Sequence, residues 1–405
     1  MMSDSQGDLD SISNLKVVFL GTRGFPNVQG GLEKHCEGLT TALVREGCHT
    51  TVFTRRPYVD PDTKEFKGVH LKALPAIRHK SLETPLHTLV GIFAAVRDRP
   101  DILHMQAIGS GLFVPIARAL GMRVVFTSHG SNYQHLKWGR FGKLVLKFGE
   151  FLGVKCAHRV IAISDTIAKD ITTHYKRTPT VIPNGIQRPT KASTVLALHR
   201  FALKKGRYIL SVGRFVPEKG LHDLIEGFVG LKSTGQAENW KLVIVGAADH
   251  PDDYSKRLEQ QAACAKDVVM TGFLTGQPLE ELYSHAGFFV LPSYYEGLSF
   301  ALLEALSYGI PCLVSRIPGN AVEGIPEGHF FTPGDIQDMN RKILEVMRHP
   351  IPEEEKHRQS LMFGKRFDWD QIARQTIQVY RGLLSQEGIK RIRTGTAQIP
   401  VGGSG

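Results

Sequence analysis

The sequence predicts an α/β protein built from two doubly wound domains, each with a parallel sheet, that face a central cleft. From residue 15, short β-branched runs alternate with helical patterns, which is typical of such sheets. The alternation stops over residues 187–205, which are rich in Pro, Thr, Ser and basic residues, and then restarts. The chain of 405 residues is also too long for one ordinary core. Since ligands bind at the carboxyl ends of the strands in these sheets, the cleft is the expected site.

Five segments are predicted along the chain. A disordered N-terminus covers residues 1–14, the first domain 15–190, the second domain 191–368, a closing amphipathic helix 369–387 and a disordered tail 388–405. The predicted strands are 16–20, 50–53, 69–74, 102–105, 124–127 and 159–163, then 208–212, 241–245, 268–270, 287–291 and 312–315. The predicted helices are 32–45, 84–96, 113–120 and 164–175, then 221–231, 254–265, 278–284 and 298–307. The segment 187–205 is therefore the expected hinge.

Charge and cysteine usage indicate the compartment and the partners. The net charge of +11 favours attraction to phosphate-bearing partners, namely nucleotides, nucleic acid or an anionic membrane. The five cysteines are scattered without a Cys-x-x-Cys pair, which favours reduced thiols in the cytoplasm. The first 14 residues lack the pattern of a signal peptide, and the longest apolar region, 108–126, is broken by Arg118 and Arg123. We therefore expect a cytoplasmic protein whose membrane contact, at the inner face, is peripheral.

Two glutamates lie eight positions apart in the segment 292–304. Glu296 falls in the turn that leaves a predicted strand, and Glu304 about two turns into the next helix. The start of that helix lies between them, where free backbone N–H groups can hold a phosphate. A carboxylate on each side of a phosphate site suits a ligand with hydroxyls at both ends, such as a nucleotide sugar. The alternative is a solvated helix face, since glutamates also occur at this spacing by chance.

A glycine-rich loop follows the first strand. It reads Gly21-Thr-Arg-Gly-Phe-Pro and continues to Gly30 and Gly31, directly ahead of a helix. Such a loop lets backbone approach a phosphate. It is neither the G-x-G-x-x-G dinucleotide motif nor a P-loop, and a tight turn without a ligand is the alternative.

Cationic and imidazole side chains follow two further strands. The second domain opens with a strand, Gly213, Arg214 and Lys219, and two cations at that position can neutralise a leaving diphosphate. Solvated surface cations are the alternative. His129 and Gly130 end a first-domain strand. A single histidine there contributes to the chemistry only if it faces the cleft, and a structural role is the alternative.

Taken in chain order, these loops and side chains resemble the retaining GT-B glycosyltransferases, specifically glycosyltransferase family four. The resemblance covers residues 16–384 and is most specific over 208–333, in Ser211-Val-Gly-Arg-Phe-Val-Pro-Glu-Lys-Gly, Pro292-Ser-Tyr-Tyr-Glu-Gly and Leu303-Glu-Ala. The first domain is most similar to bacterial members that extend surface polysaccharides. One departure is Leu298-Ser299, where many members have Phe-Gly, beside the expected phosphate and sugar sites.

The resemblance implies a role for each of these residues. Glu296 would bind hydroxyls of the donor sugar and Glu304 the ribose, while Arg214 and Lys219 would hold the diphosphate. His129 would lie beside the sugar and the acceptor. The other implied donor-binding residues form the loops around these side chains: Gly30, Gly31, Gly213, Gly272, Phe273, Leu274, Gly297, Leu298, Ser299 and Phe300. Residues 272–274 would contact the base, 297–300 would offer amides to the phosphate, and the closing helix would cross back onto the first domain.

The expected activity is transfer of a hexose-type sugar from a nucleotide-diphosphate sugar to a glycan, lipid-linked or small-molecule acceptor, in polysaccharide or glycoconjugate biosynthesis. We expect a UDP-sugar rather than a GDP-sugar, with retention of configuration as the resemblance implies. We also expect no metal and no cofactor, because Arg214 and Lys219 can replace a metal at the diphosphate. The Asp-x-Asp pairs at 60–62 and 368–370 suit turns and helix caps better than metal binding.

Other classes of protein remain as alternatives. A nucleotide-sugar epimerase or a sugar phosphorylase would share the architecture. An NAD-dependent oxidoreductase is disfavoured, because the chain lacks its G-x-G-x-x-G motif. A non-catalytic basic protein would bind a membrane or nucleic acid through clusters such as 204–207 and 390–393. No nucleic-acid motif accompanies these clusters, so we expect no nucleic-acid partner and prefer attraction to an anionic membrane.

Overall fold

The computed structural model describes residues 14–78, 82–130, 139–248 and 251–395, with side chains as far as residue 385. Its strands form two separate sheets, one from each half of the chain. Helices cover both sheets, and the doubly wound α/β fold is therefore confirmed. Of the predicted terminal segments 1–14 and 388–405, residues 1–13 and 396–405 lie outside the described residues.

The first sheet has eight strands in the order β3-β4-β2-β1-β5-β6-β7-β8. All neighbours are parallel except β3, which pairs antiparallel with β4. The strands are β1 (Lys16–Leu20), β2 (His49–Arg55), β3 (Glu65–Phe66), β4 (Val69–Leu74), β5 (Ile102–Gln106), β6 (Val124–Ser128), β7 (Arg159–Ala162) and β8 (Thr180–Val181). Every residue of β5 and β6 is buried, as expected for parallel strands covered by helices on both faces.

The helices associated with this sheet are α1 (Gly31–Arg45), α2 (Glu83–Asp98), α3 (Ile108–Gly111), α4 (Val114–Ala119), α5 (Arg140–Cys156) and α6 (Asp165–Tyr175). Ser164 caps α6, because its side chain accepts a hydrogen bond from the backbone N–H of Ile167. Helix α5 is not among the sequence predictions.

The second sheet has six parallel strands in the order β11-β10-β9-β12-β13-β14. The strands are β9 (Tyr208–Val212), β10 (Lys241–Val245), β11 (Val268–Gly272), β12 (Phe288–Leu291), β13 (Cys312–Ser315) and β14 (Phe330–Phe331). The helices are α7 (Leu196–Arg200), α8 (Leu221–Ser233), α9 (Asp253–Ala263), α10 (Gln277–His285), α11 (Phe300–Ser307), α12 (Ile336–Arg348) and α13 (Glu353–Arg366). The strand order changes direction between β1 and β5 in one sheet and between β9 and β12 in the other, and ligands bind at such switch points in folds of this type.

The closing helix, α14 (Trp369–Gly395), returns to the first domain. It packs against α1 and completes the core that includes β1. The ring of Trp369 fits between two glycines. A Cβ added at Gly38 would lie 2.1 Å from this ring, and one added at Gly185 would lie 2.4 Å from it. The chain passes between the two domains twice, and the two connecting segments run side by side. The N–H of Ile186 in one segment donates to the carbonyl of Phe367 in the other at 2.6 Å. The implied crossing of this helix is therefore present.

The structure corrects three of the expectations. Helix α14 continues to Gly395, so 388–395 is helical rather than disordered. The segment 187–205, expected as a hinge, contains α7. It is hydrogen-bonded to the second domain, because Glu281 accepts hydrogen bonds from Thr194 and from the N–H of Ala197. Helix α11 begins at Phe300 rather than 298, which places Glu304 one turn into the helix instead of two. No helix in the described ranges is long and apolar enough to cross a bilayer.

Candidate active site

A cleft of about 2560 Å³ separates the two domains. Its walls are the loops that follow β1, β5 and β6 on one side and β9, β11 and β12 on the other. These are the carboxyl ends of the strands, where the topology places a ligand site. All predicted site residues except Gly272 line this cleft. Gly272 instead ends β11 with a φ of 76°, and the loop reaches the cleft through Phe273 and Leu274.

Lys219 and Glu296 form an ion pair on the second-domain wall. Lys219 Nζ lies 2.6 Å from Glu296 Oε1, and the hydroxyl of Ser293 donates to the same oxygen at 2.6 Å. Gly220 allows the approach: its φ is 62°, and a Cβ there would lie 2.2 Å from the carbonyl oxygen of Pro292. The side chains of the pair are only 17% and 9% exposed. The residues predicted to hold diphosphate and sugar thus contact each other directly.

The N-terminus of α11 opens into the cleft between the two glutamates. Ser299 is its N-cap, and the Ser299 side chain makes no capping hydrogen bond. Gly297 passes close to the first domain, since a Cβ there would lie 2.5 Å from the carbonyl oxygen of His129. The first amides of α11 can therefore bind an anion that enters the cleft.

Glu304 lies further along α11 and is held from both domains. Lys34 of α1 forms an ion pair with its Oε1, and Tyr283 donates its hydroxyl to Oε2 at 3.2 Å. Burial and the adjacent Glu304 carboxylate raise the pKa of Tyr283 well above its usual value, so the hydroxyl remains a donor. Lys34 is 270 positions away in sequence, and it links the two walls at the expected ribose position.

His129 faces the same cleft from the first domain. Its Nε2 lies 2.6 Å from Gln106 Oε1, and its ring meets that of His35 edge-on with centroids 4.7 Å apart. Burial, with a smaller contribution from neighbouring histidines, holds the pKa of His129 well below its usual range. Burial also lowers the pKa of His35 to about 4, although the hydrogen bond that its Nδ1–H donates to Asn184 Oδ1 opposes the shift. The imidazole of His129 is therefore neutral near pH 7 and acts as a hydrogen-bonding group rather than a cation.

The glycine-rich loop brings both predicted glycines to the wall of the cleft. Gly30 has a φ of 150°, and a Cβ there would lie 2.0 Å from Glu33 Oε2. Its missing side chain leaves room for the ion pair of Arg23 with Glu33, at 3.1 Å. Gly31 lies opposite Phe300 across the cleft, and a Cβ added at Gly31 would lie 3.6 Å from the Phe300 ring. Both glycines line the cleft, and Gly30 also has a structural reason to be glycine.

The acidic pairs at 60–62 and 368–370 have structural partners. Asp60 accepts a hydrogen bond from the N–H of Asp62, and Asp368 from that of Asp370, both at 2.9 Å. Asp368 also pairs with Arg188 at 2.8 Å. Among the described residues, no three His, Cys, Asp or Glu side chains converge in the manner of a metal site.

Comparison with known proteins assigns both halves of the chain. Residues 29–188 match the family model Glycosyltransferase Family 4, and residues 199–361 match Glycosyl transferases group 1. An uncharacterized glycosyltransferase of Methanocaldococcus jannaschii is 26% identical over 411 residues, with 92% of this chain and 100% of that protein covered. The UDP-Gal:alpha-D-GlcNAc-diphosphoundecaprenol alpha-1,3-galactosyltransferase of Escherichia coli is 28% identical, with 66% of this chain and 72% of that protein covered. The structure of sucrose-phosphate synthase from Thermosynechococcus elongatus superposes with a TM-score of 0.79 at 22% identity, covering 92% and 100% of the two chains. The chain is a GT-B glycosyltransferase of the family-four type.

The site of this glycosyltransferase also depends on four residues that the predicted site did not include. Lys34 holds Glu304, Gln106 orients His129, and His35 packs against that ring. Asn184 donates to the carbonyl of Leu298 at 3.1 Å and so positions the approach to α11. The sequence carried no signal for these four, because each acts through a partner that is distant along the chain.

Proposed function

We propose that this glycosyltransferase moves a hexose from a nucleotide-diphosphate sugar to a glycan, lipid-linked or small-molecule acceptor, with retention and without a metal ion. The observation that carries the proposal is the arrangement around α11. Cations, carboxylates and free helix amides meet on one wall of the cleft, opposite a neutral imidazole on the other. This pattern matches the parts of a nucleotide sugar in their covalent order.

In the proposed complex, the diphosphate lies on the amides of α11 with Arg214 and Lys219 beside it. The ribose then extends toward Glu304 and the hexose toward Glu296. Both carboxylates are now paired with lysines. Binding would exchange these partners: Lys219 turns from Glu296 to the diphosphate, and Lys34 releases Glu304. Lys219 thus exchanges its charge-assisted contact with Glu296 for one with the diphosphate, which limits the free-energy cost of opening the ion pair.

The proposed chemistry occurs on one face of the sugar. The bond from the anomeric carbon to the diphosphate oxygen breaks while the acceptor oxygen bonds to the same carbon from the same side. The acceptor proton passes to the leaving diphosphate. Arg214, Lys219 and the α11 amides stabilise the charge that develops there, and such contacts are usually worth several kcal/mol. His129, neutral in this environment, contributes hydrogen bonding to the sugar or acceptor.

The donor and pathway are inferred from relatives. The Escherichia coli relative is named for UDP-Gal and for an acceptor linked to diphosphoundecaprenol. A Staphylococcus aureus relative, 23% identical, is named for capsular polysaccharide biosynthesis. We therefore favour a UDP-sugar donor and a role in polysaccharide or glycoconjugate biosynthesis. A thermal-shift series with UDP, GDP, ADP and dTDP sugars tests the donor, since a ligand that binds only the folded protein raises its Tm.

The reaction class is tested with a nucleotide sugar labelled in the sugar. Label in a glycan or lipid acceptor supports the proposal, and NMR of the new linkage should show the donor's anomeric configuration. Label recovered as a sugar phosphate would identify a phosphorylase, and a changed nucleotide sugar an epimerase. Transfer abolished by EDTA and restored by manganese would overturn the metal-free mechanism.

A further inference from the structure

An apolar surface covers the outer side of helices α2 and α5 of the first domain. Helix α5 exposes Phe141, Leu144, Phe148 and Phe151, and Phe141 is 78% exposed. These positions are three or four residues apart, so they lie on one face of the helix. Helix α2 repeats the pattern with exposed Leu86, Val90, Phe93 and Val96. Core-facing helices normally bury such a stripe, whereas here it points outward.

Close packing holds these two helices on the same face of the sheet. The short helix α3 lies between them and contacts both. Glycines allow this contact: a Cβ at Gly111 would lie 2.2 Å from the carbonyl oxygen of Gly149 in α5, and one at Gly109 would lie 3.2 Å from Thr84 in α2. Ile116 and Leu120, in and just after α4, add two exposed aliphatic side chains beside α5. The apolar stripes therefore belong to one surface of the first domain.

The charges on this surface have one sign along α5. Its exposed positions are either apolar or basic, the basic ones being Arg140, Lys147 and Lys155. Its acidic residue, Glu150, is buried and accepts a hydrogen bond from Tyr175 at 2.8 Å. Aromatic and aliphatic side chains interleaved with Lys and Arg suit the headgroup region of an anionic bilayer.

The same helix also reaches the cleft. Phe141, Val145 and Leu146 line the cleft, as do Leu82 and Pro85 at the start of α2, whereas Leu144 and Phe148 are exposed outside the cleft. One end of the apolar surface is thus continuous with the active-site cleft. An acceptor attached to a lipid could keep its chain in the bilayer while its sugar enters between the domains.

We infer that the outer face of α2 and α5 docks the glycosyltransferase on an anionic lipid bilayer and presents the cleft to a lipid-linked acceptor. The part of this inference that concerns the acceptor rests on the proposed function, whereas the docking itself does not. Basic residues supply the long-range attraction and the phenylalanines the shallow insertion. Binding should therefore weaken at high salt without disappearing.

The test is co-sedimentation of the full chain, without donor or acceptor, with phosphatidylcholine vesicles that contain or lack phosphatidylglycerol. We expect binding to the anionic vesicles, reduced roughly tenfold or more by Leu144→Ser combined with Phe148→Ser, since each loses the transfer free energy of an apolar side chain. The matched control is Leu361→Ser, because Leu361 is 62% exposed on α13 of the second domain and Leu144 is 64% exposed. This control should bind vesicles like the unmodified chain.

The outcomes separate docking from the reaction. Equal binding by the unmodified chain and the double variant, or none by either, overturns the inference while leaving sugar transfer intact. A dimer in analytical ultracentrifugation that the double variant abolishes, without vesicle binding, would assign the face to a second copy and also overturn it. Vesicle binding without any transfer supports docking and removes the proposed function instead. Slow hydrolysis of a labelled nucleotide sugar should be unchanged in the double variant, which checks that its active site is folded.

Discussion

Replacing Lys219 by methionine should separate the catalytic role of its charge from its structural role. The side chain keeps its length and loses its pairing with Glu296 at 2.6 Å. Loss of a contact to a leaving anion typically costs about 3–4 kcal/mol in the transition state, so we expect kcat to fall about 10²–10³-fold. The measurement is initial rate of transfer from the donor that gives the largest thermal shift.

The structural cost follows from the burial of the pair. Breaking a fully buried pair costs about 3–5 kcal/mol. Here the pair borders an open cleft and Ser293 still donates to Glu296, so we expect a loss of about 1–3 kcal/mol in the free energy of unfolding. Adding Glu296→Gln removes the unpaired charge and should restore most of that stability. It should not restore the rate, because neither the cation nor the carboxylate is present.

The control is Lys205→Met, an exposed lysine before β9 and therefore at the end of that strand opposite to the cleft. It should keep both the rate and the stability of the unmodified chain. The assignment of Lys219 to the diphosphate is refuted if Lys219→Met transfers sugar within about tenfold of the normal rate. It is also refuted if the double variant regains the rate together with the stability, since the loss would then reflect folding alone.

Three further predictions address other parts of the cleft. Glu304→Gln should raise the KM for the donor roughly tenfold or more with little change in kcat, since a hydrogen bond to a charged group is worth about 1.5–3 kcal/mol; a collapse of kcat at constant KM would contradict the ribose assignment. Gly297→Ala should lower the Tm and the donor affinity, because the new Cβ would lie 2.5 Å from a backbone oxygen of the first domain, whereas Gly230→Ala, with nothing within 4 Å, should not. Acid should destabilise the fold: burial lowers the pKa of His35 and of His87 to about 4, so each contributes stability above its unfolded pKa near 6.5 that is lost as the pH falls toward 4. Each should lose about 2 kcal/mol between pH 7 and pH 5, and a pH-independent unfolding free energy in urea titrations would refute this.

The strands were the part of the fold that the sequence predicted well. Runs such as 208–212 and 241–245 are apolar except for Ser211 and Lys241 and are followed by glycine, which is the pattern of a strand buried on both faces. Helix α5 was missed although Phe141, Leu144 and Phe148 recur at helical spacing. Its sequence also contains three glycines, which lower the helical propensity. The start of α11 was placed two residues early, since Leu298 continues the apolar rhythm although Ser299 is the cap.

The candidate site also contains residues that the sequence predicted and residues that it did not. Arg214, Lys219, Glu296 and Glu304 follow strands or a helix start within one domain, so local spacing is enough to suggest them. Lys34 meets Glu304 across 270 positions, and no local pattern reports such a contact. His129 was predicted beside the acceptor, but its neutrality follows from the burial of its ring near two other histidines, which depends on tertiary packing.

The return of α14 sets the order in which the chain can fold. Trp369, Ile372 and Tyr380 belong to the core that also contains Val17 and Phe19. During synthesis, the amino-terminal half therefore leaves the ribosome with an incomplete interior, and the entire second domain must follow before the missing helix arrives. A domain normally folds as a unit once it has emerged. Here the half made first should be the half completed last.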